Sequence, residues 1–124
     1  LAAFDLTQRR AVWGTKASSF HSPLILKGLI LVVNDDGMIS SYSAQTLSES
    51  WTNDEYLRRN LSNAVEFNGD IIVGDLEGYV HVINALNGKT IGRKKISNKP
   101  IKFLSTRGNQ LFVLDSELRV IALD

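Results

Sequence analysis

The sequence contains no cysteine, which excludes both a disulfide framework and a metal site built on thiolates. It also lacks an excess of charge of one sign. Lys and Arg number 14 against 13 Asp and Glu, so the net charge of +1 gives no overall field that would attract nucleic acid or a membrane. No stretch approaches the roughly 18 to 20 apolar residues that a membrane-spanning helix needs. These absences favour neither a small disulfide-rich domain nor a transmembrane protein.

No signal peptide is visible at the N-terminus, and the chain begins at Leu1 within a stretch that has the character of a β-strand. We interpret the sequence as part of a longer protein. Hydrophobic residues make up 44% of the 124 residues and charged residues 22%, which is typical of a globular domain with a core of its own.

A repeat of about 40 residues runs through the chain, a period typical of propellers and solenoids. Residues 69–84 align without a gap with residues 28–43, which lie 41 positions earlier, and with residues 109–124, which lie 40 positions later. The N-terminal residues hold the end of a further copy, in which Trp13 takes the place that Trp51 has in the next copy.

Each repeat predicts four short strands, and the clearest copy places them at about residues 62–67, 70–75, 79–84 and 89–96. Asn68-Gly69 and Asn87-Gly88 fall between strands. Asn-Gly is the preferred two-residue hairpin turn, because both central residues need a positive φ. The pattern therefore predicts antiparallel hairpins throughout the chain.

The second strand of each copy is an almost unbroken apolar run, at residues 29–33, 71–73 and 111–114. Short runs of this kind, bounded by turns, are typical of strands that are buried on both faces. Four-stranded units of about 40 residues whose sheets cover one another form a β-propeller. The sequence therefore predicts an all-β protein, a partial propeller of four-stranded antiparallel blades.

About three blades are expected, and they do not close into a ring within one chain. The predicted division is the tail of one blade at 1–16, a second blade at 20–52, a third at 61–96 and an incomplete last blade at 100–124. Open blade edges offer unpaired backbone groups to other chains. Self-association through these edges is therefore one hypothesis, for example by residues 9–14 of one copy supplying a strand to the last blade of another.

The N-terminal segment from Ala3 to Trp13 resembles the tryptophan-docking motif of PQQ-like repeats, in which the Trp side chain holds one blade against the next. Trp51 matches the same position in the following copy, whereas Gly92 stands there in the copy after that. The resemblance implies a blade-docking role for Trp13 and Trp51.

Residues 67–81, with the sequence FNGDIIVGDLEGYVH, resemble the late-blade signature of the BamB family. This resemblance implies an eight-bladed propeller without enzymatic activity, a lipoprotein on the periplasmic face of the bacterial outer membrane. It implies binding to the POTRA domains of the barrel-forming assembly protein. The lipid-bearing cysteine is expected outside this sequence. A fragment of a quinone-dependent dehydrogenase propeller and a propeller adaptor with an unrelated partner are the alternatives.

Candidate catalytic and metal-binding residues are few, and each has a plainer interpretation. Residues 34–37, with the sequence NDDG, resemble part of a calcium loop, but their recurrence at the same hairpin favours turn chemistry. His21 and His81 have no ligand spacing around them, so a packed or hydrogen-bonded histidine is expected at position 81. The sequence predicts no catalytic residue, no metal and no cofactor.

Two groups of residues are candidates for partner binding. The first is in the longest link between repeats, where an apolar residue stands beside two arginines, a composition that suits an interface. The alternative is a plain connector with solvated arginines. The candidate residues are Tyr56, Leu57, Arg58 and Arg59. The second is a basic stretch that includes Lys89, Arg93, Lys95, Lys99 and Lys102. It could bind an acidic partner or anionic lipid, or it could only keep a strand edge soluble. Aromatic residues do not alternate with these basic residues, so nucleic acid is not expected as a partner.

Overall fold

The computed structural model describes residues 2–5, 10–14 and 23–123, and for the first two segments it describes the backbone alone. Every regular element in these residues is a β-strand. The strands are β1 (Ala2–Asp5), β2 (Arg10–Gly14), β3 (Leu24–Leu26), β4 (Leu29–Val33), β5 (Ile39–Ser43), β6 (Glu49–Asn53), β7 (Val65–Phe67), β8 (Asp70–Gly74), β9 (Tyr79–Ile83), β10 (Thr90–Lys95), β11 (Ile101–Arg107), β12 (Gln110–Asp115) and β13 (Val120–Leu123). Within the described segments no helix has the length and hydropathy to cross a membrane.

The strands form antiparallel sheets in which neighbours in the chain are neighbours in space. We call β3–β6 the first sheet, β7–β10 the second sheet and β11–β13 the third sheet, and β1 pairs with β2 separately. The predicted fold class is confirmed: the described strands make an all-β arrangement of separate sheets, none of which closes on itself. Each strand of the second sheet lies within the range that the repeat pattern predicted for it.

Of the two Asn-Gly pairs, one forms the predicted two-residue hairpin turn and the other does not. Asn68 and Gly69 both have positive φ, at 53° and 84°, and form a two-residue hairpin turn between β7 and β8. The second Asn-Gly pair instead belongs to a six-residue connection, residues 84–89, in which only Gly88 has positive φ. The Asn84 side chain builds this longer turn, because its Oδ1 accepts a hydrogen bond of 2.8 Å from the Leu86 amide.

Residues 34–37, which resembled a calcium loop, form a tight turn between β4 and β5. The Gly37 amide donates to the Asn34 carbonyl at 3.0 Å, and the Met38 amide donates to Asp36 Oδ1 at 2.9 Å. The turn interpretation of this motif is therefore confirmed, since the Asp36 carboxylate accepts a hydrogen bond from the backbone two residues further on.

The core consists of two apolar clusters, one on each side of the second sheet. Alternate residues of β8 belong to different clusters, because successive side chains along a strand point to opposite faces of the sheet. Ile71 and Val73 pack towards the first sheet, while Ile72 packs towards the third sheet. This burial on both faces explains why β8 is an unbroken apolar run.

Trp51 contacts the second sheet from β6 of the first sheet. Its Nε1 donates a hydrogen bond of 2.9 Å to the Ala85 carbonyl, and nearby Asn53 Nδ2 donates one of 2.8 Å to the Gly88 carbonyl. A Cβ atom added to Gly88 would lie 2.3 Å from the Trp51 ring. We therefore propose that Trp51 docks the two sheets together. Trp13 lies in β2, and its side chain is outside the described residues.

The strand edges bear on the expected self-association. Strand β2 pairs with β1 of the same chain, from Ala2 opposite Gly14 to Asp5 opposite Arg10. Strand β13 pairs with β12, and no other described strand lies along its second edge. Strand exchange between copies, and the division into blades at the predicted boundaries, stay predictions.

Candidate interaction surface

Residues 54–60 form the first part of the link between the first and second sheets, and the backbone holds them in place from both sides. The Arg58 amide donates to the Asp36 carbonyl of the first sheet's turn at 2.9 Å. On the other side, the Leu76 amide donates to the Arg59 carbonyl, also at 2.9 Å. These bonds to two neighbouring elements hold the main chain of the loop in one defined conformation.

Tyr56 differs from the expectation that it contacts a partner, because its side chain points inward. It is only 3% exposed, and its ring centroid lies 4.6 Å from that of His81. Its hydroxyl is hydrogen-bonded to Thr90 Oγ1. Burial raises the pKa of the Tyr56 hydroxyl above its ordinary value, which outweighs the lowering by the bond to Thr90. Tyr56 therefore supports the loop from within rather than facing solvent.

The neighbours of Tyr56 face solvent together with one residue that the sequence did not single out. Leu57 is 45% exposed, Arg58 is exposed and Arg59 is partly exposed. Leu76, in the turn after β8, is 38% exposed and is joined to the loop by its backbone bond to Arg59. We call Leu57, Arg58, Arg59 and Leu76 the loop surface.

Asp75 anchors the turn beside the loop surface, and sequence reasoning did not foresee its partners. It is fully buried, and its Oδ1 accepts hydrogen bonds from the amides of Glu77 and Tyr79 at 2.9 and 3.1 Å. Its Oδ2 lies 2.6 Å from His81 Nε2 and 3.3 Å from Arg59 Nη1. The expected hydrogen-bonded histidine at position 81 is confirmed. His21 lies outside the described residues.

The charge state of Asp75 follows from two opposing effects. Burial raises its pKa, but the hydrogen bonds from His81 and from the two backbone amides favour the carboxylate and together leave the pKa below its ordinary value. Asp75 is therefore ionised at neutral pH and attracts Arg59, which ties the loop to the turn.

The same arrangement recurs 40 positions later at Asp115, which is also fully buried. Its carboxylate accepts hydrogen bonds from the amides of Glu117 and Arg119, from Ser97 Oγ at 2.7 Å and from Arg119 Nε at 3.0 Å. These bonds, first of all the one from Ser97, outweigh burial and lower the pKa of Asp115 to about 2. A buried carboxylate thus organises the turn after the second strand in two successive sheets.

The low pKa of Asp115 predicts a loss of stability in acid. A carboxyl whose pKa is lower in the folded state stabilises the fold above its ordinary value of 3.8, and this contribution disappears as the pH falls towards about 2. The Asp115→Asn variant should therefore unfold at a lower urea concentration than the parent at pH 7, and the difference should shrink between about pH 4 and pH 2. Asp54→Asn, at an exposed carboxylate, is the control. A difference in urea midpoint that stays constant with pH would contradict the lowered pKa of Asp115.

The predicted basic residues lie on different elements. Arg93 and Lys95 lie in β10 of the second sheet, and Lys89 lies in the connection that precedes it. Lys99 forms a salt bridge of 3.3 Å with Glu117. Lys102 belongs to β11, which is in the third sheet. The basic stretch therefore divides at the link between the two sheets, and only its first half is concentrated on one strand.

The part of the chain whose side chains the structure describes contains no group of three or more His, Asp or Glu that could hold a metal ion. The polar clusters around Asp75 and Asp115 use their atoms to join loops to turns. Their arrangement fixes the shape of these turns.

Meandering antiparallel sheets that pack against one another in chain order define a partial β-propeller. The family model for outer membrane protein assembly factor BamB matches residues 1–124. The chain therefore belongs to the BamB family, as its sequence resemblance indicated.

Individual relatives agree with this assignment. The outer membrane protein assembly factor BamB of Francisella tularensis is 33% identical over 99 residues, which are 80% of this chain and 22% of that protein. That of Pseudomonas aeruginosa is 33% identical over 101 residues, 82% of this chain and 27% of that protein. The crystal structure of BamB from Moraxella catarrhalis matches with a TM-score of 0.87 and 26% identity, covering 98% of this chain and 37% of that one. The chain thus spans about a quarter of the length of the curated relatives it matches.

Proposed function

We propose that this protein is a non-enzymatic interaction module of the machinery that assembles outer-membrane proteins. The observation that carries the proposal is the loop surface, which is apolar and cationic, faces solvent and is fixed by backbone bonds to the turns of two sheets. The curated relatives are named outer membrane protein assembly factors, which supports this role. A rigid surface of this kind binds without paying the full entropic cost of ordering a mobile loop.

The partner we propose is a POTRA domain of the barrel-forming assembly protein, at the periplasmic face of the bacterial outer membrane. Leu57 and Leu76 would supply the apolar centre of the interface, while Arg58 and Arg59 would form its polar rim. An apolar centre with a polar rim is the usual anatomy of a protein interface, and arginine is enriched there. A lipid anchor on a part of the protein outside residues 1–124 belongs to the same proposal.

The Leu57→Asp variant tests the loop surface directly. A carboxylate at the centre of an apolar contact should weaken binding to purified POTRA domains by about tenfold or more in calorimetric titration, since hot-spot residues contribute about 2 kcal/mol. The matched control is Leu86→Asp, which changes a leucine that is 70% exposed in the connection between β9 and β10.

Leu86→Asp should bind as the parent does. Equal weakening by both substitutions would show a non-specific charge effect and would remove the loop surface from the proposal. Binding that is unchanged by Leu57→Asp would place the partner elsewhere on the protein.

A further inference from the structure

Strand β10 is an edge strand of the second sheet, and it carries three consecutive cations. Arg93, Lys94 and Lys95 are all exposed. No acidic residue occurs in the sequence between Gly78 and Leu114, so no carboxylate neighbours them along the chain. Among the ion pairs formed within the described residues, none involves these three side chains.

Tyr79 keeps two of these cations beside each other. The Arg93 guanidinium carbon lies 4.7 Å from the centre of the Tyr79 ring, and Lys95 Nζ lies 5.3 Å from the same point. Each cation is attracted to the electron-rich face of the ring. Two like charges that share one aromatic ring repel each other in the absence of an anion, so this arrangement is prepared for a negatively charged group that would contact both.

The backbone of β10 is poorly suited to pairing with a further strand. Its register with β9 shifts between Thr90 and Gly92, which makes a bulge at Ile91. Bulges and a row of Lys and Arg are the features that prevent strand addition at sheet edges. The side chains of β10, and not its backbone, are therefore the groups it offers to a partner.

We propose that β10 is a binding surface for the phosphate headgroups of an anionic membrane. Arg and Lys both bind phosphate oxygens by charge-assisted hydrogen bonds, and each cation near an anionic lipid surface adds to the affinity. Ile91 is 57% exposed on the same strand and would insert between headgroups. The proposal goes beyond binding to an assembly partner, because it uses a different surface and needs no second protein.

The experiment is flotation of the chain with vesicles of phosphatidylglycerol and phosphatidylethanolamine, and separately with vesicles of phosphatidylcholine alone. The test variant replaces Arg93, Lys94 and Lys95 by Gln. The matched control replaces three exposed cations of the first and third sheets, Lys27, Lys102 and Arg107, by Gln, which removes the same charge. The parent should bind the anionic vesicles, and the test variant should lose at least about tenfold in its partition coefficient.

The control variant should keep most of its binding to anionic vesicles. An Arg93→Lys variant, which preserves the charge, should also keep this binding. Circular dichroism of each variant confirms that the sheets are intact. Absence of binding to anionic vesicles at low salt would overturn the proposal, and so would equal losses in the test and control variants. Binding to an acidic peptide but not to vesicles would show that β10 recognises a protein instead.

Discussion

Replacing Gly88 by alanine is expected to destabilise the protein by about 2 to 5 kcal/mol, whereas Gly28→Ala should cost only about 1 to 2 kcal/mol. The two glycines have nearly the same φ, 75° and 76°, so the backbone strain of an added Cβ is the same at both. They differ in their surroundings. A Cβ at Gly28 would meet nothing within 4 Å, while one at Gly88 would lie 2.3 Å from the Trp51 ring.

The difference between these two substitutions therefore measures how tightly the first and second sheets are docked. Urea unfolding followed by circular dichroism gives both free energies. In a Trp51→Ala background the extra cost of Gly88→Ala should disappear, because the ring that the Cβ meets has been removed. Equal costs for Gly88→Ala and Gly28→Ala in the parent would show that Trp51 can move aside freely, which would contradict its role as the docking residue.

The second large effect is expected for Asp75→Ala, which should cost about 3 to 5 kcal/mol. Removing this buried carboxylate leaves the amides of Glu77 and Tyr79 without their acceptor and deprives His81 and Arg59 of a partner. Leaving a buried polar group without a hydrogen bond costs more free energy than the bond itself contributes, since no water takes the place of the lost partner.

The control is Glu77→Ala, because Glu77 also forms a salt bridge of 3.3 Å with Arg59 but is exposed. Exposed pairs contribute about 0 to 1 kcal/mol, so this variant should be nearly as stable as the parent. Thermal and urea unfolding at pH 7 compare the two. Since the pKa of Asp75 is lowered in the folded state, its contribution is present at neutral pH and is lost in acid, so Asp75→Ala should also flatten the acid dependence of stability. A loss of less than about 1 kcal/mol would mean that the turn does not depend on Asp75.

The architecture could be predicted from the sequence because its signals are local or periodic. The repeat located the strands of the second sheet, and the apolar run in β8 indicated burial on both faces. The Asn68-Gly69 turn followed from φ preferences of two adjacent residues. The second Asn-Gly pair misled, because the side chain of Asn84, three residues earlier, determined the turn instead.

The details of the surface could not be predicted in the same way, because they depend on contacts between distant residues. Tyr56 is buried because His81 lies under its ring, and the two are 25 positions apart in the chain. Asp75 is hydrogen-bonded to His81 because β9 folds back against β8. Composition does not reveal that these two side chains are close in space. Leu76 joins the loop surface through a backbone bond to Arg59, which is 17 positions earlier in the chain.

The second sheet supplies apolar side chains to both clusters. The described sheets therefore behave as a linear array, in which each sheet is stabilised by its neighbours in the chain. Among the described contacts, opening the first or the third sheet disrupts one of these clusters, whereas opening the second sheet disrupts both. We therefore expect the second sheet, which carries β10 and the Asp75 turn, to open after the sheets on either side of it. The β10 surface thus persists when an outer sheet opens, whereas the loop surface loses its backbone bond to the Asp36 turn when the first sheet opens.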